Sequence, residues 1–90
     1  MASSSENAAA ILDLIVSRAQ EFWGEDWKAE LVRAYCLIES NESGETVKPV
    51  ERRSQLMRAL EVKSTSLETA LRLASAVNLK IAAETIIEIY

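Results

Sequence analysis

Between Lys48 and Lys63 the chain places five basic side chains against two acidic ones, in a protein whose net charge is −4. Arg52, Arg53, Ser54, Gln55 and Arg58 fall within one short helical run, and Lys63, Ser64 and Thr65 follow it. These residue types suit nucleic-acid reading. Glutamine pairs bidentately with adenine, and arginine with guanine, in the major groove. Lys48, Lys63, Ser64 and Thr65 suit phosphates, helped by the amides that open the next helix. The same residues have a plainer use. Arg52, Arg53 and Arg58 would solvate an exposed helix face, with Glu51 and Gln55 as neighbours along it.

Other chemistries find little purchase. The chain has one cysteine, Cys36, and no histidine, so an internal metal site or Cys-His nucleophile has no second partner. Cys36 lies beside an apolar stripe and reads as a small buried hydrophobe. Glu25 and Asp26 are adjacent and diverge, so they make no acid–base pair. No glycine-rich phosphate loop occurs. A non-enzymatic protein without a cofactor or metal is the expectation. Trp23 and Trp27 bracket Gly24 and are expected to cover the end of a helical-hairpin core.

The elements that must position the basic run are helices. Ninety residues make one small domain, and 49% hydrophobic residues make it too apolar for a disordered chain. Two glycines and one proline are too few for a β-rich fold of many turns. A first helix is expected from near Ser5, with Ala8, Ile11, Leu12, Ile15, Ala19 and Phe22 at three-four spacing. Gly24 suits the left-handed position that ends it, and Glu25 or Asp26 opens a second helix with the stripe Trp27, Leu31, Ala34, Tyr35 and Ile38. The two form an antiparallel hairpin.

Ser40 to Lys48 reads as a polar linker, and Pro49 fits the first turn of a third helix whose apolar residues are Val50, Leu56, Met57 and Leu60. Ser64 and Thr65 interrupt the pattern. Ser66 caps a fourth helix carrying Leu67, Ala70, Leu71, Ala74 and Val77, and Asn78 takes the helix-ending position. The last residues fit a short helix from about Ala82 or an edge strand, and the helix is favoured.

The run SLETALRLASAVNLKI, from Ser66 to Ile81, resembles the closing helix of XRE-type, lambda-repressor-like helix-turn-helix domains. RSQLMRALE, from Arg53 to Glu61, is similar to that family's recognition helix, above all in antidote proteins of chromosomal addiction modules. The resemblance covers about a third of the chain. Asn78 stands where the family carries glycine, and the linker before Pro49 stands where its first motif helix and tight turn would lie. A second register begins the recognition helix near Thr65 and turns Thr65, Ser66, Glu68, Thr69 and Arg72 toward bases. The resemblance implies a small DNA-binding regulator or antitoxin-like protein. The alternative is an interaction module on the same scaffold that binds protein and no DNA.

The expected architecture is therefore all-α: a bundle of four to five helices in a single domain. Residues 1–40 form an acidic helical hairpin, 41–48 a linker and 49–90 a helix-turn-helix-like half. Charge divides the same way, with −6 over residues 1–46 and +2 over 47–90, which would orient a polyanion or let the halves pair. The expected partner is double-stranded DNA. A homodimer is expected because one short module makes too few contacts for useful specificity. A protein partner for the acidic hairpin is a further expectation. The longest apolar run, Ala8 to Leu12, spans no membrane, the opening MASSSENAAA lacks a basic signal region, and a lone cysteine fits a reducing cytoplasm.

Overall fold

A computed structural model describes the backbone of residues 4–78 and the side chains of residues 9–78. Among them every regular element is helical and no strand occurs. The helix expected from about Ala82 lies outside the described residues.

Helix α1, Ser4–Trp23, buries Leu12, Ile15 and Ala19 at three-four spacing, with Ile11 packed beside them. Phe22 departs from expectation: it is 51% exposed, and Trp23 meets the core instead. At about 100° per residue, Phe22 and Trp23 lie roughly 50° to either side of the buried row's centre, so spacing alone does not choose between them. The larger indole takes the core edge, and the Phe22 ring sits against it edge to face at 6.0 Å. Gly24 has φ +61°, a backbone that a side chain would strain. One 3-10 turn, Gly24–Asp26, then leads into the second helix.

Helix α2, Trp27–Ser43, begins one to two residues later than expected and packs against every other helix. Its buried residues are Leu31, Val32, Tyr35, Cys36 and Glu39. Relative to the expected stripe this face is rotated by roughly a quarter turn. Val32 and Cys36 are fully inside, while Ala34 and Ile38 are half-buried. The reason is architectural: a helix with neighbours on several sides buries a wide arc, and a single-stripe reading captures one edge of it. Trp27 joins Trp23 at the margin of the core, as a hairpin end requires.

The linker is shorter than the expected 41–48. Glu39 to Ser43 offer no helix breaker, so α2 continues until Gly44, whose φ of +77° and N–H bond to the Ser40 carbonyl close it. Residues 44–48 alone connect to α3. They are pinned by the Val47 N–H, which donates to Ser40 Oγ at 2.8 Å.

Helix α3, Pro49–Val62, starts at the proline, and the Glu51 carboxylate accepts the Lys48 N–H at 2.9 Å. Leu56 and Ala59 are buried, with Met57 and Leu60 packed at the core edge. Val50 does not join them. It is 81% exposed, because it lies on the face opposite Leu56 and Ala59. Lys63, in the left-handed conformation at φ 57°, ends α3. Ser66 Oγ then accepts the Thr69 N–H at 3.2 Å and caps α4, Leu67–Ala76. Here Thr69, Ala70, Leu73 and Ala74 are buried, together with Val77 just beyond, while Leu71 is exposed. Asn78, at φ 58°, takes the expected left-handed position. Both α3 and α4 pack mainly on α2 and also touch α1.

Candidate nucleic-acid interface

The apolar attachment of α3 is narrow, and charged contacts complete it. From the first turn, the Arg52 guanidinium reaches back to Glu39 on α2: Nε donates to Oε1 at 3.0 Å and to Oε2 at 3.2 Å, and Nη2 donates to Oε2 at 2.8 Å. At the other end Lys63 Nζ donates to Asp13 Oδ2 on α1 at 3.3 Å. Glu39 is 8% exposed, the one buried carboxylate among the described residues.

Arg72 of α4 approaches the same carboxylate, with Nη1 3.9 Å from Glu39 Oε1. The same Nη1 donates weakly to the Tyr35 hydroxyl at 3.4 Å, while Nε donates to Glu42 Oε2 at 2.6 Å and Nη2 to Glu68 Oε1 at 2.7 Å. The guanidinium carbon also lies 5.9 Å from the Tyr35 ring centroid. One cluster of charge thus joins α2, α3 and α4. No buried side-chain nitrogen or oxygen among the described residues lacks a hydrogen-bond partner.

The titration of these groups follows from that geometry. Arg52's hydrogen bonds hold the Glu39 carboxyl below its ordinary value against the opposing cost of burial. The same bonds raise Arg52, and the Glu42 contact raises Arg72, so both stay charged. Burial pushes the Cys36 thiol up, with Glu39 adding to the effect. An inert, protonated thiol is the result.

The expected site residues divide into three groups. Arg53, Ser54, Gln55 and Arg58 are exposed on α3, and Arg53 and Arg58 have no ion-pair partner among the described residues. Arg52 and Lys63 are engaged within the fold by Glu39 and Asp13. Ser64 is exposed while its N–H closes α3 on the Ala59 carbonyl at 3.1 Å, and Thr65 is half-buried.

Helical geometry sorts the first group further. At about 100° per residue, Val50, Ser54, Arg58 and Glu61 form one outward stripe. Arg53 and Gln55 fall about 100° to opposite sides of Ser54, so the two do not share a face. Arg53 instead borders a groove of about 470 Å³ between α1, α2 and α3, lined by Val16, Trp27, Met57 and Leu60, with Asp13, Lys28 and Glu61 also at its edge.

The second register fares differently. Thr69 is buried and Arg72 is tied into the cluster, so α4 presents neither of them outward. Neither the Glu39–Tyr35–Arg72 unit nor the surface position of Val50 is apparent from the sequence. The Glu68–Arg72 spacing was a weak pointer to one pair, while the Glu39 contacts span residues far apart in the chain. Among the described residues no helix is long and apolar enough to cross a membrane. Comparison of the chain with protein-family models, curated proteins and solved structures finds no match.

Proposed function

We propose that this protein is a small, cytoplasmic DNA-binding regulator or antitoxin-like protein that acts as a dimer, with α3 as its reading helix in a helix-turn-helix-like arrangement with α2. The observation that carries the reading is the seating of α3: its inner face is tied to α2 through Arg52 and Glu39, while Ser54 and Arg58 point outward with Val50 beside them. Arg58 has the chemistry to read guanine, Ser54 bonds either base type, and Val50 suits a thymine methyl. Arg53, Gln55 and Lys48 lie on the flanks, where phosphates would run. The acidic α1–α2 hairpin faces away from polyanions by repulsion and offers a surface to a basic protein partner.

The test is duplex binding by fluorescence anisotropy over a salt series. A dimer engaging about six phosphates loses roughly 10³-fold in affinity between 50 and 200 mM salt. Absence of binding at low salt, where counterion release most favours association, refutes the reading. In a binding protein, Arg53→Ala with Arg58→Ala must weaken affinity, or α3 is the wrong helix.

The α1–α2–α3 groove favours a second reading, a protein-interaction module that binds no DNA. Val16, Trp27, Met57 and Leu60 offer an apolar floor with charged edges, a surface suited to an amphipathic partner helix. Here Val16→Asp, on the α1 side of the groove and outside the packed core, abolishes partner binding, whereas on the DNA reading it leaves duplex affinity nearly unchanged.

A further inference from the structure

Glu39 is only 8% exposed, yet it accepts three hydrogen bonds from one arginine and lies 3.9 Å from a second. A carboxylate this enclosed is costly to bury, and an apolar residue of similar volume would serve packing as well or better. Position is what the charge adds. Arg52 stands two residues before Ser54 and six before Arg58, so fixing its guanidinium in a bidentate clasp sets the rotation of α3 about its axis. The apolar contacts of α3 are narrow, with Leu56 and Ala59 buried and Met57 and Leu60 only at the core edge. Arg72, braced by Glu42 and Glu68, adds a second positive charge 3.9 Å from Glu39 Oε1.

Building on the DNA reading above, we propose that Glu39 is a positioning residue: through Arg52 it fixes the azimuth at which α3 presents Ser54 and Arg58 to a major groove. Arg52 then belongs to the scaffold and makes no phosphate contact, despite its place in the basic run.

The experiment compares wild type, Glu39→Gln, Arg52→Gln and the double variant at low temperature, where circular dichroism shows each to be folded. Two quantities are read: affinity, over a salt series, for the tightest-binding duplex that the wild-type protein selects from a random pool, and amide hydrogen exchange along α3. Each single variant is expected to bind about tenfold more weakly, the scale of one lost base contact. The salt slope stays at the wild-type value, and the double variant is no worse than either single one. Amides of residues 52–60 exchange about tenfold faster while those of α1 do not.

A salt slope that falls by about one in Arg52→Gln makes Arg52 a phosphate contact and overturns the proposal. Unchanged affinity in Glu39→Gln, or additive losses in the double variant, overturns it too. If the wild type binds no duplex, the DNA reading fails on its own, and the exchange data still decide the clasp. Faster exchange confined to α3 retains it, and unchanged exchange removes it.

Discussion

Arg52→Ala is the substitution whose cost the structure defines best. It deletes the bidentate partner of a carboxylate that is 8% exposed, leaving Glu39 with Arg72 at 3.9 Å. An exposed ion pair contributes about 0–1 kcal/mol, and breaking a fully buried one costs about 3–5 kcal/mol. The pair lies between these limits, because the Glu39 side chain retains 10% of its exposure and that of Arg52 retains 34%. Charge-assisted hydrogen bonds contribute about 1.5–3 kcal/mol, and Arg72 compensates in part, so about 2 kcal/mol is the expected loss. For a domain of this size that lowers Tm by roughly 8–16 °C. Thermal melts followed by circular dichroism, with urea titrations at 25 °C, measure it. Repeating them in 0.5 M salt adds a control, since a screened surface pair fades while an enclosed one persists. A loss below about 0.5 kcal/mol, or one that disappears in salt, would show that the clasp is an ordinary surface contact.

The remaining expectations follow from single sites. Leu73→Ala removes a fully buried core side chain of α4 and should cost about 2–5 kcal/mol, read as a lowered midpoint in a chemical-denaturation series. Gly44→Ala meets no atom within 4 Å but must hold φ at +77°, so a loss of about 1 kcal/mol is expected from backbone strain alone. Glu39's folded-state pKa lies below its ordinary value, so its contribution is complete above the unfolded carboxylate range and is lost as pH falls through the folded value. Acid titrations of wild type and Glu39→Gln should therefore converge at low pH, and a constant gap there contradicts the assignment. Cys36 is buried with a raised thiol pKa, so a disulfide exchange reagent should modify it only at the rate of unfolding.

Helix character and punctuation were legible in the sequence because local chemistry determines them. Gly24, Pro49, Ser66 and Asn78 each occupy the backbone role expected of them, while Gly44, read as part of the linker, ends α2. Which residues face inward was legible only in part. The three-four row Leu12, Ile15 and Ala19 served α1 because one face of that helix is covered, while α2 is surrounded and buries Val32, Cys36 and Glu39 beyond its apparent stripe. Arg52 and Arg53 are indistinguishable as letters. Their separation into an inner clasp and an outer flank depends on where Glu39 sits, thirteen residues earlier on another helix. Long-range charge pairing leaves no periodic trace, so the basic run looked more uniform than the surface it builds.

On the proposed function, duplex DNA meets the outward stripe of α3. Chemical-shift mapping of the ¹⁵N-labelled protein against a short duplex at low salt tests it most directly. The largest shifts are expected at Val50, Ser54 and Arg58, smaller ones at Lys48, Arg53, Gln55 and Ser64, and none along the acidic faces of α1 and α2. Shifts centred on Val16, Trp27 and Met57, or no shifts at all, would contradict it.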